Sequence, residues 1–160
     1  MASQESLENL QTALSMELTA QHQYQLHAAV LDDWGLDLLA AQMRSEMAEE
    51  TGHSNEFLNR ILFLKGAPEM KLAKAPVRAA SLAEMFQADL QDEQEAIQFY
   101  TQASLQAAAD GDLGTRALFE KIALGEEEHM AWLELQLDLL KRMGEPAYTS
   151  KHMSPAGEGA

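Results

Sequence analysis

The sequence predicts an all-α fold: four long helices in a bundle, a long connection between the second and third, and a short fifth helix near the C-terminal end. Three observations lead there. Aromatic residues make up only 6% of the chain, whereas Ala, Leu, Gln, Glu and Met are abundant, and these side chains lose little rotamer freedom in a helix. Apolar residues recur at spacings of three and four along four long stretches, the period of a helix with one buried face. Gly- and Pro-bearing breaks separate the stretches. At 160 residues the chain has enough material for one core and too little for two comfortable ones. A single domain over 1–152 is therefore expected, with 153–160 as a disordered tail.

The first helix is expected to start near Ser3 or Ser6, either of which can cap its first turn, and to run to about Asp33. Its buried stripe reads Leu7, Leu10, Leu14, Glu17, Gln21, Tyr24, Ala28 and Leu31. Trp34-Gly35 breaks the chain, and a second helix follows over 36–64, ended by Gly66 and Pro68. Its stripe carries Leu36, Leu39, Met43, Glu46, Glu50, His53, Phe57, Ile61 and Leu64. Residues 65–80 contain Pro68 and Pro76 and the basic residues Lys71, Lys74 and Arg78. Extended at roughly 3.3 Å per residue, this segment is long enough to cross back along a neighbouring helix.

Ser81-Leu82-Ala83-Glu84 has capping-box spacing, so the third helix begins there and continues to about Ala109, with Leu82, Phe86, Leu90, Glu93, Ile97 and Tyr100 along its seam. The short Asp110-Gly111-Asp112 turn makes the fourth helix, 113–143, its antiparallel neighbour. That helix places Leu118, Ile122, Glu126, His129, Leu133, Leu137 and Leu140 on one stripe. Gly144 and Pro146 end it, and the short fifth helix is expected around 147–152.

Composition narrows the function. With 26 acidic and 11 basic residues the formal charge is −15, which repels nucleic acid and anionic membranes and favours cations as partners. No apolar run is long enough to span a membrane, and the N-terminus Met1-Ala2-Ser3-Gln4-Glu5 lacks the basic and apolar regions of a signal peptide. A cytoplasmic protein is expected. The chain has no Cys, which rules out disulfides, thiolate metal sites and iron–sulfur clusters.

Each long helix carries one glutamate inside its apolar stripe, and the second and fourth add a histidine three residues later, in Glu50-Thr51-Gly52-His53 and Glu126-Glu127-Glu128-His129. Positions i and i+3 share a helix face, so each pair can point a carboxylate and an imidazole at one spot. The same offset of 76 maps Glu17, Tyr24, Glu50 and His53 onto Glu93, Tyr100, Glu126 and His129. Glu17 and Glu50 lie 17 and 16 residues from Trp34, which puts them at one level of the bundle. Four buried carboxylates at one level need compensating charge. Two divalent cations supply it, and four carboxylates with two imidazoles suit iron or manganese while leaving coordination positions for oxygen or peroxide. A glutamate from each of two helices with Glu-x-x-His from each of the other two is the pattern of dinuclear carboxylate bundles. The metal ligands expected are therefore Glu17, Glu50, His53, Glu93, Glu126 and His129.

Over nearly its whole length the chain resembles the bacterioferritins, in Met16-Glu17-Leu18, Gln23-Tyr24-Gln25-Leu26-His27-Ala28, Asp33-Trp34-Gly35-Leu36, Arg60-Ile61-Leu62-Phe63-Leu64, Asp89-Leu90 with Glu93, and His129-Met130-Ala131-Trp132-Leu133-Glu134. The resemblance implies a ferritin-like four-helix bundle and makes the six residues ferroxidase ligands for two irons per subunit, with Glu50 and Glu126 bridging. It gives Tyr24 the part of a nearby phenol that hydrogen-bonds a bridging carboxylate or donates an electron, a structural core tyrosine being the alternative. It further implies iron storage in a homo-oligomeric shell of 24 subunits, with Fe(II) oxidised by O2 or H2O2.

One position departs from the family. Where bacterioferritins carry a haem-ligating methionine, directly after the first bridging glutamate, this chain has Thr51. A hydroxyl is a poor haem-iron ligand, and Gln21 and Gln25 on the neighbouring helix are polar where a porphyrin favours an apolar wall. Haem is not expected through the usual ligand, although Met47 lies one turn earlier. The resemblance also admits a second role, as a structural shell subunit co-assembling with a haem-binding paralogue. A rubrerythrin-like peroxidase would call for a Cys-based electron-transfer site, which is lacking here, and the DNA-protecting mini-ferritins place their metals between subunits. Glu46, Glu49 and Glu127 are expected to be solvated charges, and His22 and His27 surface or interhelix hydrogen bonders.

Overall fold

The computed structural model describes residues 2–155. Five helices follow one another, α1 (Gln4–Asp33), α2 (Asp37–Phe63), α3 (Leu82–Ala109), α4 (Leu113–Met143) and α5 (Glu145–Ser150), with no strand among the described residues. Of the two candidate caps Ser3 is the one used, its hydroxyl accepting the Ser6 amide at 3.0 Å. Ser81 caps α3 by accepting the Glu84 amide at 3.2 Å, while the Glu84 carboxylate reaches back to the Ala80 amide rather than to Ser81 itself. Asp112 caps α4 through the Thr115 amide at 3.1 Å.

Two helical hairpins make the bundle, α1 packed along α2 and α3 along α4, and they join through α1–α3 and α2–α4 contacts. Both hairpin turns need a left-handed residue, and the 76-residue repeat supplies a glycine each time, Gly35 at φ 81° and Gly111 at φ 74°. The connection between α2 and α3 runs along α1, and three side chains of α1 satisfy its backbone. Gln11 exchanges hydrogen bonds with the Glu69 carbonyl (2.9 Å) and amide (2.8 Å), Thr19 Oγ1 accepts the Ala73 amide (2.8 Å), and Gln23 exchanges with the Val77 carbonyl and amide, both at 2.9 Å. Spacings of eight and four put these three residues on one face of α1, so a segment with no ladder of its own is still pinned.

The short last helix begins two residues earlier than 147–152 predicts, because proline suits a first helical turn, where its missing N–H costs nothing, and so opens α5 instead of preceding it. Tyr148 on α5 is buried and donates to Gln136 at 2.7 Å. The Leu38 amide then donates to the His152 carbonyl, and the Ser154 amide to Asp37 Oδ1 at 2.9 Å, which ties the chain after α5 to the start of α2. Of the expected tail 153–160, residues 156–160 lie outside the described residues. Burial on the helices follows the predicted stripes, except that Leu7, Gln21, His53, Leu64, Ile97, Leu118, Leu137 and Leu140 are only partly covered; on α4 Phe119 is fully buried.

The core falls into two apolar clusters. One gathers Leu31, Leu36, Met43, Phe86, Leu133 and Tyr148 near the α1–α2 turn and α5. The other gathers Leu10, Leu14, Phe57, Ile61, Phe119 and Ile122 toward the opposite end. A polar layer separates them.

Candidate metal centre

That layer holds Glu17, Glu50, Glu93, Glu126 and His129, none more than 5% exposed, and the slightly more open His53. Their positions follow from the three-and-four periodicity, which keeps each glutamate in register with the leucines above and below it on its helix. Donor atoms of Glu17, Glu50, His53 and Glu126 lie within 4.8 Å of one another, and so do those of Glu93, Glu126 and His129. All six predicted ligands therefore converge from one chain. Glu126 belongs to both groups, as a bridging carboxylate must, whereas Glu50 joins only the first.

The 76-residue repeat is visible in the hydrogen bonds. Tyr24 on α1 donates to Glu93 Oε1 on α3 at 2.7 Å, and its repeat mate Tyr100 on α3 donates to Glu17 Oε1 on α1 at 2.6 Å. His129 Nδ1 stands 2.9 Å from Glu93 Oε1, and His53 Nδ1 stands 3.0 Å from Glu126 Oε1. Tyr24 thus holds a carboxylate of one metal group, Glu93, and neither Glu50 nor Glu126, so the expected bond to a bridging carboxylate is replaced by one to its neighbour. The residue is fully satisfied there, with His129 Nδ1 also at 3.1 Å. Tyr100 is a site residue that the sequence flagged through the repeat without assigning it a task.

A second residue escaped the sequence reading. Glu46, expected to be solvated, is 7% exposed, and its Oε2 lies 3.6 Å from His129 Nε2. It sits one helical turn before Glu50, on the stripe, where a glutamate is ambiguous between a helix edge and a core position. Glu49 and Glu127 are exposed as expected. His27 bridges helices, its Nε2 2.9 Å from Asp89 Oδ1, with both side chains buried.

Electrostatics show what the layer lacks. Burial pushes the carboxyls of Glu50, Glu126 and Glu46 above their ordinary range. Burial, helped by the adjoining Glu126, lifts Glu93 to about 8. Burial pulls the His53 imidazole down, but hydrogen bonds to Glu126 and Glu50 outweigh it and raise the group to about 10; His129 moves up in the same way through Glu93 and Glu46. Burial also raises both tyrosines. Protons thus gather where acids crowd, the response of a carboxylate cluster short of positive charge. Glu17 Oε2, Glu93 Oε2, Glu46 Oε2 and His129 Nε2 are buried without a hydrogen-bond partner. Unpaired buried carboxylate oxygens, beside an imidazole nitrogen that becomes a ligand once deprotonated, are what metal ions satisfy, so the residues present fit a pair of divalent cations.

Thr51 Oγ1 donates to the Met47 carbonyl at 2.9 Å, a bond within its own helix, and Met47 is partly buried against the apolar cluster near α5. No thioether stands at 51, and the side chain there does not fit the task of a haem-iron ligand.

Comparison with known proteins agrees with this architecture. Residues 7–143 match the ferritin-like domain family. A bacterioferritin of Brucella melitensis is 37% identical over 153 residues, covering 95% of this chain and 94% of that protein. Among solved structures, Rhodobacter capsulatus bacterioferritin superposes with a TM-score of 0.95 at 32% identity, covering 99% of both chains; that structure has a metal-free dinuclear site and haem iron on a crystallographic special position. Mycobacterium tuberculosis bacterioferritin gives a TM-score of 0.93 at 34% identity over 96% of this chain and 97% of that one.

Proposed function

The chain belongs to the bacterioferritins of the ferritin-like family, and from that premise we propose that it is an iron-storage ferroxidase. Fe(II) is its substrate and ferric mineral its cargo. The observation that carries this is the convergence of Glu17, Glu50, His53, Glu93, Glu126 and His129 in one buried layer, in which Glu17 Oε2, Glu93 Oε2 and His129 Nε2 lack partners. Two Fe(II) ions give up one electron each to O2, which leaves as H2O2 with two protons, or to H2O2, which with two protons becomes two waters. The charge of the carboxylates favours Fe(III) over Fe(II) in the site. Tyr24 and Tyr100 each hold one carboxylate, Glu93 and Glu17, in place, and Glu126, common to both groups, would bridge them; the bridging part of Glu50 comes from the family resemblance, since Glu50 stands in the first group alone. Exposed Phe63, Leu113 and Leu124 leave apolar surface for neighbouring subunits; the shell of 24 copies and its place in the cytoplasm are carried by the family resemblance alone.

The test is anaerobic Fe(II) titration followed by O2. Binding of about two irons per subunit, with fast oxidation lost in Glu17→Ala and His129→Ala, is expected. Unchanged fast oxidation in both variants refutes the assignment.

Thr51 supports a second reading, in which the chain is the haem-free subunit of a shell shared with a haem-binding paralogue. Size exclusion of the protein purified alone separates the two: a discrete, colourless, iron-loading shell supports storage without a partner, and failure to assemble supports the mixed shell.

A further inference from the structure

A cavity of about 280 Å³ lies between α1, α3 and the connection that precedes α3. Its inner wall includes Glu17, Glu50, Glu93 and Glu126, and its outer wall Lys74 and Asp92. The last two side chains are 59% and 38% exposed, so the cavity joins solvent to the metal centre. Seven of the lining side chains are carboxylates and one is basic, Lys74. Its ammonium sits 2.7 Å from Asp92 Oδ1. The lysine is held there by its backbone, since the preceding amide of Ala73 is bound by Thr19 and Val77 is clamped by Gln23. A second cavity, of about 200 Å³, adjoins on the other side and is also lined by Lys74 and Asp92, together with Gln91 and Glu84. The side chain therefore has space into which it can withdraw.

We propose that Lys74 is the gatekeeper of this passage: its ammonium, parked on Asp92, opposes an incoming divalent cation and sets the rate at which the cation reaches the centre. A cation gains access by displacing the ammonium from Asp92, whose carboxylate then hands it inward to Glu93, the next residue of α3. The chemistry follows from the lining. An acidic, low-dielectric passage draws cations in, and a single fixed positive charge at its mouth is the dominant local opposition. The same charge neutralises the Asp92 carboxylate when no cation is present. Ammonium and divalent ion compete for one carboxylate, so the gate acts on rate and leaves the capacity of the buried ligands unchanged.

This inference rests on the centre binding divalent cations, and Co(II) tests the two separately because its ligand-field absorption reports binding without any oxidation. Stopped-flow mixing of Co(II) with the assembled protein is compared for wild type, Lys74→Gln, Lys74→Glu and Lys74→Arg. At about 0.02 M salt the Gln variant is expected to bind roughly three- to tenfold faster and the Glu variant faster still, with the ratio falling toward one near 0.5 M salt. Lys74→Arg keeps the wild-type rate, and all four reach the same final absorbance. Normal Co(II) uptake with equal rates in the Gln and Glu variants overturns the gate alone, as does an acceleration that persists at high salt, which marks a loosened connection instead of a removed charge. Absence of Co(II) absorption in the wild type overturns the metal centre and the gate together.

Discussion

Glutamine at position 93 separates the cost of the empty metal centre from its benefit. In the metal-free chain Glu93 is buried, one of its oxygens has no partner, and its carboxyl is lifted from 4.5 to about 8, first by burial and then by Glu126. Between those two values the native chain holds a proton that the unfolded chain has released. The contribution to stability is therefore complete below 4.5 and is lost as pH rises through about 8. At about 1.4 kcal/mol per pH unit the window corresponds to about 5 kcal/mol. Glutamine imitates the protonated acid: its Oε1 still accepts from Tyr24 and His129, and its amide can donate to Glu126. Burial of the amide itself offsets about half of the gain, leaving roughly 2 kcal/mol at pH near 8.5 and a net cost of about 1–2 kcal/mol near pH 5, where the native carboxyl already keeps its proton. For a chain of this length the gain near pH 8.5 is a rise in Tm of several degrees. His53, raised to about 10, loses stability in the same direction, but it is common to both proteins and cancels in the comparison. With Co(II) present the order near pH 8.5 inverts, because metal binding needs the deprotonated ligand that glutamine cannot supply. Thermal unfolding followed by circular dichroism, with EDTA and with Co(II) at both pH values, reads all four quantities. A Glu93→Gln protein less stable than wild type in EDTA near pH 8.5 would falsify the account of Glu93 as a strained, proton-holding ligand.

Two further outcomes are expected. Tyr100→Phe removes the 2.6 Å bond to Glu17 and leaves a buried carboxylate with both oxygens unpaired, costing about 1–3 kcal/mol in the metal-free protein; Co(II) titration should show affinity weakened about tenfold or more, and an unchanged titration would show that Tyr100 is core packing only. Thr51→Met restores a thioether on the helix face and is expected to yield a Soret band after haem reconstitution of the assembled shell, where wild type yields none; equal haem uptake by both proteins would place the ligand elsewhere, with Met47 the first residue to replace.

The helices and the convergence of the six candidate ligands were legible because both depend on periodicity. A glutamate three or four residues from a leucine on either side has its direction set by the helix, and the matching distances from Trp34 set its depth. What periodicity does not carry is contact between side chains far apart in the chain. Glu46 stood on the predicted stripe, yet only its 3.6 Å approach to His129 shows that it faces inward. The His27–Asp89 pair spans 62 residues, and nothing local to either residue announces the other. The repeat itself hid a difference. Offset by 76, His27 corresponds to Ala103, Asp89 to Ala13 and Glu46 to Ile122, and all three of these mates are buried and apolar. The side of the layer holding Glu93, His129 and Tyr24 is therefore backed by polar groups, whereas Tyr100 is enclosed by Phe57, Phe99 and Phe119. In the proposed centre, matched candidate ligands in unmatched surroundings would make two inequivalent metal positions, since a backing hydrogen bond alters the basicity of the ligand it touches. The symmetry of the sequence fixes where the ligands point, and the residues that break that symmetry decide how differently the two positions hold a cation.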